Sequence, residues 1–460
     1  MADGFIKEGV TRRIFLGGLL GSLAVVGGPA LGLSLRRVRK PNLRLGLLSD
    51  IHICAEDGDF NKFGDTQTFE HALTWFRDQG VDGVVIAGDM ADNGMVAQLK
   101  KVGEAWERVF PGNKAPDGRT VEKLFVYGNH DLEGQNYDGY DKRFFDKESF
   151  RKGWIRTDPA AAWESIFHEP YAPIWLKRVK GYPFIGAHWV ADKWDGIASV
   201  EGWFRDHAAE IDRDRPVFYI QHAHPKDTCF GPNIWGQDAG YSTRALSAYP
   251  KAVAFSGHAH CPATDDRFIW QGTFTSIGLG SLRYGSTSNV TSLLGGAAIN
   301  RTSRWKVRQG MLLDVFDDEM ILKCRDFVND EFVRDELVIP IPETTADMRY
   351  GFAARAEKSA APTWPTGAKI VVGECDQAVR LTFPAATCTN CRVIAYVVCA
   401  TRPDGVQVER FALQPNEDLA LRHVEPTVEL DLPSKDFPKG TRFGVIPVNS
   451  LGKRGMELVS

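Results

Sequence analysis

The 460-residue chain has no Gly-x-x-x-x-Gly-Lys phosphate loop and no internal repeat, which argues against ATP-driven work. It also lacks a strong excess of either charge. Lys and Arg total 55 against 59 Asp and Glu, a formal net charge of −4, which leaves no electrostatic footprint for a nucleic-acid polymer. Beyond the first forty residues no apolar run is long enough to span a bilayer. There are eight cysteines but only one Cys-x-x-Cys pair, Cys388-Thr389-Asn390-Cys391, so a structural zinc site of four thiolates fits badly. A disulfide involving Cys375, Cys388, Cys391 or Cys399 is the expectation, with its pairing open; Cys54, Cys229 and Cys261 read as buried hydrophobes. With 43% hydrophobic and 25% charged residues, the composition is that of a globular chain of two or three domains.

What is present is a scattered set of metal-binding residue types: Asp50-Ile51-His52, Gly88-Asp89, Gly128-Asn129-His130-Asp131, His222, and Gly257-His258-Ala259-His260. Each group follows an apolar, β-branched or aromatic run, at residues 45–48, 84–87, 124–127, 217–220 and 253–255. Such runs read as buried strands. An open α/β sheet gathers its functional loops at the carboxyl ends of its strands, so five turns far apart in sequence can converge on one crevice. Nitrogen and oxygen donors without sulfur suit manganese, iron or zinc better than calcium or magnesium.

In this order the five groups resemble the motif blocks of the calcineurin-like metallophosphoesterase superfamily, over residues 41–342. The resemblance implies a four-layer α-β-β-α sandwich of α/β class and two divalent or mixed-valence metal ions. Asp50, His52 and His260 would hold one metal and Asn129, His222 and His258 the other, with Asp89 between them. His130 would stand unligated beside the substrate, its ring oriented by Asp131. The fourth block offers two imidazoles in Gln221-His222-Ala223-His224-Pro225; His222 lies nearer the strand end and is preferred as ligand, leaving His224 as a supporting or substrate contact.

The implied reaction is hydrolysis of a phosphodiester or phosphomonoester, with nucleotide-like substrates preferred, by a hydroxide shared between the metals. Two cations bring four positive charges, of which Asp50, Asp89 and the hydroxide remove three, so the centre stays positive toward a phosphoryl group. One departure stands out. Purple acid phosphatases carry a tyrosine ligand three residues after the bridging aspartate, and here that residue is Asp92. The competing reading is a noncatalytic cell-envelope binding protein that keeps the fold.

Thr11-Arg12-Arg13-Ile14-Phe15-Leu16, followed by a mostly apolar run over 17–35, resembles a twin-arginine export signal spanning residues 1–32. The expected partner during export is the twin-arginine translocase, and the expected product a soluble protein in the periplasm or outside the cell. If uncleaved, the run would serve as a membrane anchor.

Residues 132–180 form an insertion rich in aromatics, including Tyr137, Tyr140, Phe144, Phe145, Trp154, Trp163, Tyr171 and Trp175. Most of these read as a satellite core, some as stacking surfaces for a leaving group. Arg301, Arg304, Lys306 and Arg308 read as solvated surface or as phosphate contacts. Helical spacing predicts helices over 66–79 and 200–211, and alternation predicts strands at 273–277, 310–316, 320–327 and 332–341 that complete a second sheet. Residues 343–365 read as a linker. Six short strands within 366–460 are similar to a fibronectin type III or immunoglobulin-like module, a small all-β sandwich.

Overall fold

The computed structural model describes residues 39–53, 65–132, 159–189, 199–232, 234–285, 308–375, 377–413, 422 and 424–460. The export-signal segment, Cys54, the aromatics Tyr137, Tyr140, Phe144, Phe145 and Trp154, and the cations Arg301, Arg304 and Lys306 lie outside the described residues.

Strands β1 (Leu43–Leu48), β2 (Gly83–Ala87) and β3 (Glu122–Val126) run parallel. Their alternation decides which way each side chain points: Leu43, Leu45, Leu47, Val85, Ala87, Leu124 and Val126 enter one core, while Leu48, Val84, Ile86 and Phe125 enter another. The second of these is closed by α1 (Asp65–Gln79) and α2 (Val96–Val109), together with α3 (Pro159–Phe167). The first core faces a six-stranded sheet of β4 (Ile174–Val179), β5 (Tyr182–Ala187), β6 (Phe218–Ile220), β7 (Val253–Ser256), β8 (Ile269–Gln271) and β9 (Thr275–Gly278). That sheet runs in the order β4-β5-β6-β7-β9-β8. Its outer face is covered by α4 (Val200–Asp206) and α5 (Tyr241–Leu246), which completes the α-β-β-α layering.

The later strands divide differently from the sequence expectation. Only β9 belongs to the second sheet; β10 (Gln309–Val315), β11 (Glu319–Asp326), β12 (Glu331–Phe332) and β13 (Leu337–Pro340) extend the first. β10 lies antiparallel to β1, pairing Leu43 with Val315 and Leu47 with Met311. Alternation fixes the face that a strand buries, but it does not say which of two stacked sheets the strand joins.

The stretch expected as a linker contains a short helix, α6 (Phe352–Lys358). It is tied to the two stacked sheets by Arg355, whose Nη1 donates to the Ile269 carbonyl at 3.1 Å, and by the Tyr350 hydroxyl, which donates to the Val338 carbonyl at 3.0 Å. Beyond it, β14 (Val371–Cys375), β15 (Ala378–Pro384), β16 (Val393–Thr401), β17 (Gln407–Leu413), β18 (Thr427–Pro433), β19 (Arg442–Asn449) and β20 (Leu458–Val459) form sheets of three and four strands. Leu381, Phe383, Tyr396, Val398, Leu430 and Val445 meet in the core between them. A disulfide joins Cys388 to Cys391, while Cys375 and Cys399 are unbridged.

The seam between this module and the two stacked sheets centres on Asp266. Its Oδ1 pairs with Arg334 at 2.7 Å, and its Oδ2 accepts from the Arg392 amide at 3.0 Å and the Ser450 hydroxyl at 2.5 Å. Among the described residues, no helix is long and apolar enough to cross a membrane.

Candidate metal centre

Every group singled out from the sequence follows the carboxyl end of a parallel strand: Asp50 and His52 after β1, Asp89 after β2, Asn129 and His130 after β3, His222 after β6, His258 and His260 after β7. The two sheets thus contribute to one centre from opposite sides. Five of these residues, Asp50, His52, Asp89, His258 and His260, hold left-handed backbone with φ between 48° and 66°. For non-glycine residues that costs on the order of 1 kcal/mol or more apiece, and it persists only where surrounding contacts over-determine it. Those contacts are visible: the Asp50, His52 and Ile53 amides donate to the carbonyls of Gly88, Asp89 and Met90, locking the first two loops together. Gly128 is required by packing, because a Cβ there would lie 2.2 Å from Asp89 Oδ1.

Among the described residues the donor atoms fall into three groups, two of which share Asp89, while the third joins His52 to Asp92 and His130. Asp50, His52, Asp89 and His260 place a ligand atom each within 4.8 Å of one another, and so do Asp89, His222 and His258. His260 Nε2 lies 2.8 Å from Asp50 Oδ1 and 3.2 Å from His52 Nε2. His222 Nε2 lies 3.0 Å from Asp89 Oδ2 and 3.1 Å from His258 Nδ1. Asn129, between Gly128 and His130 on the same loop, has its Oδ1 buried.

Hydrogen bonds on the far side of the rings set their tautomers. His222 Nδ1 donates to the Ala87 carbonyl at 2.7 Å and His260 Nδ1 to the Tyr284 carbonyl at 3.2 Å. A carbonyl only accepts, so each Nδ1 carries the proton and each Nε2 turns a lone pair toward a carboxylate oxygen. Such a face is stable only when a proton or a cation stands between.

The titration of the groups says the same. Burial pushes the Asp50 and Asp89 carboxyls up, but the surrounding histidines outweigh it and hold both well below the ordinary carboxylate range. Burial likewise disfavours charge on His222, yet Asp89 and Asp50 raise it to about 9, and Asp50 and Asp92 raise His52. Burial keeps His258 and His260 low. Two buried acids demand positive charge at the ring nitrogens, and the nitrogen and oxygen donors fit a pair of divalent cations.

The remaining sequence candidates are placed as follows. His130 donates its amide to Asp89 Oδ1 at 2.9 Å, and its Nδ1 meets the Asp92 carbonyl at 2.7 Å. The carbonyl of Asp92 therefore orients the ring. Asp131, expected in that role, instead accepts from the Ala91 amide at 2.7 Å and the Gly128 amide at 2.8 Å, because its buried carboxyl lies under the two loops. Burial and the nearby Asp89 charge raise it to about 7. His224 turns away, with Nδ1 at 2.6 Å from the Ser256 hydroxyl, and burial lowers it to about 3. Arg308 is buried, its Nη1 donating to the Thr68 hydroxyl at 3.0 Å.

Residues 43–262 match the family model for calcineurin-like phosphoesterases. The matched region carries the whole donor set. No curated protein sequence matches the chain. Solved structures that resemble it include a dimetal phosphatase from Danio rerio, 11% identical, covering 66% of this chain and all of that one at a TM-score of 0.34. Others are the inner-membrane-complex anchor GAP50 of Plasmodium (13% identity, 66% of this chain and 90% of that one, TM-score 0.38) and a zinc complex of Vps29 from Entamoeba histolytica (9%, 65% and 100%, TM-score 0.30). Likeness at this level decides nothing about activity.

Three features of the candidate metal centre carry little or no sequence signal. Asp92 Oδ1 lies 3.3 Å from His52 Nδ1 and pairs with Arg283, whose Nη1 also donates to the His52 carbonyl at 3.1 Å. Burial pushes the Asp92 carboxyl up, but His52 and Arg283 bring it down to about 2. Tyr284 packs 4.2 Å from His260, ring centre to ring centre, and Trp235 stacks on His258 at 4.4 Å. Only Asp92 left a signal, as the residue standing where a tyrosine ligand would be.

Proposed function

We propose that the protein is a dinuclear-metal phosphoester hydrolase acting outside the cytoplasm. The observation that carries this reading is Asp89, a buried carboxylate belonging to two donor groups, with two histidines completing one side and Asp50, His52 and His260 the other. A pair of divalent cations bound there would lower the pKa of a shared water and draw charge from a phosphoryl oxygen.

The chain's own residues supply the rest. Asp50 and Asp89 fix the charge of the centre, while His222 and His260, each anchored through Nδ1 to a carbonyl, keep Nε2 aimed inward. Asn129, His222 and His258 would hold the second metal, and Asp50, His52 and His260 the first. His130 keeps its Nδ1 proton on the Asp92 carbonyl and exchanges a proton with the leaving oxygen at Nε2. Asp131 acts at a distance, holding the loops of Asp89 and Asn129 together. Export through the twin-arginine route is supported by Arg12, Arg13, Phe15 and Leu16 in the sequence.

The test is metal analysis and turnover of residues 33–460 loaded with manganese, iron or zinc, using bis(p-nitrophenyl) and mono(p-nitrophenyl) phosphate. Two metal equivalents with metal-dependent release of p-nitrophenol are expected. Two equivalents without turnover of any ester would turn the reading to a noncatalytic binding protein. Arg12→Lys with Arg13→Lys should stop delivery across the membrane; unchanged delivery removes the export proposal.

A further inference from the structure

The rings singled out in the insertion are not at the metal centre where they are described. Trp163 is buried against Tyr127, Phe167 and His188, and Trp175 donates its indole N–H to the Phe125 carbonyl at 3.2 Å. The rings that border the donor groups come from other loops. Trp235 lies nearly parallel to the His258 imidazole, with centroids 4.4 Å apart and 25° between planes, yet it is 54% exposed. Trp189, just past β5, lies 5.6 Å from His258 and 6.1 Å from His222.

The turn that carries Trp235 is firmly fixed. The His224 amide donates to the Gly236 carbonyl at 2.9 Å, and the Asp238 amide returns to the His224 carbonyl at 2.8 Å. The Asp238 carboxylate accepts from the Lys226 amide at 3.1 Å and the Gly240 amide at 2.6 Å. Gly236, at φ +85°, lets the turn press close, since a Cβ there would lie 2.6 Å from His258 Cδ2. A turn held at so many points leaves its indole half in water while one face lies on a candidate ligand.

We propose that Trp235 and Trp189 form a flat-ring subsite beside the His222 and His258 half of the centre. The preferred substrates are then phosphoesters whose alcohol carries an aromatic or heteroaromatic ring. This rests on the hydrolase reading. An indole fixed in place before binding offers a stacking face with little ordering cost, and stacking tolerates any planar ring.

The experiment is calorimetric titration of the metal-loaded chain with phenylphosphonate and with methylphosphonate, which differ in the ring alone. The phenyl compound should bind about tenfold more tightly and quench indole fluorescence. Trp235→Ala should bring the ratio close to one, and Trp235→Phe should keep most of it, a rescue that a merely structural loss would not show. Equal affinities in the unaltered protein, or a ratio unchanged in a Trp235→Ala, Trp189→Ala double variant, overturn the subsite and leave the hydrolase reading standing. If neither phosphonate binds and no ester is turned over, both fall.

Discussion

Asp266 at the domain seam and Asp50 and Asp89 at the strand ends are all buried carboxylates, and the chain treats them in opposite ways. Around Asp266 it supplies its own cation, Arg334, with a hydroxyl and a backbone amide on the other oxygen. Around Asp50 and Asp89 it supplies imidazoles whose lone pairs point at the carboxylates, and ring nitrogens only 3.1 and 3.2 Å apart. A buried acid met by arginine is complete as the chain folds. A buried acid met by converging imidazoles is complete only when positive charge arrives from outside. The contrast separates residues that hold the molecule together from residues that wait for an ion.

The sharpest test of that contrast is Asp89→Asn, which removes the charge shared by two donor groups. Turnover should fall by more than about 100-fold, beyond what a change behind the ligands produces, and metal content should drop from two equivalents to one or none. Near-native turnover with two metals bound would show the assignment to be wrong.

Asp266→Ala should do the reverse, leaving metal content unchanged while lowering unfolding free energy in urea by about 3 kcal/mol, as expected for a broken buried pair. If it emptied the metal centre, the two regions would not be independent. Metal itself gives a matching readout. At a hundredfold excess over Kd a bound ion stabilises by about 2.7 kcal/mol, and Asp266→Ala should retain this increment while Asp89→Asn loses it.

Behind His52, Asp92→Asn should weaken metal affinity by about 10- to 100-fold without changing the stability of the seam, as read by metal titration alongside urea unfolding. The smallest effect concerns pH. Burial raises the Asp266 carboxyl, but Arg334, Ser450 and the Arg392 amide hold it below its ordinary 3.8. Its contribution is therefore fully present above pH 3.8 and is lost as pH falls through the lower folded value. The gap in stability between the parent chain and Asp266→Ala should shrink over that acid range; a gap that is constant with pH would deny the carboxylate its role.

Much of the layered architecture was legible because ligands and strands are coupled locally: each apolar run ends within a few residues of a donor. The sheet assignment of residues 309–340 was not legible, since β10 joins β1 through pairing across more than 260 positions and either sheet could accept its alternation. Helix α2 went unread because its first turn has no acidic residue and Gly103 interrupts it, features overridden by packing of Leu99, Val102 and Trp106. At the site, the donor types stood out in the motifs, whereas the partners of their far ring atoms did not. Nothing near Ala87, Tyr284 or Arg283 in sequence marks them as backing for histidines on distant loops. Aromatic density draws the sequence expectation of stacking surfaces to the insertion, whereas Trp235 reaches His258 only through the tertiary turn that His224 and Asp238 hold.

Asp131 carries a last consequence. By accepting amides from the turns after β2 and β3, it fixes the mouth of the mould independently of anything cast inside it. An ion lost to a chelator should then be replaceable by a different one without the scaffold being rebuilt, and the element found in the cradle would record the surroundings in which it was last filled.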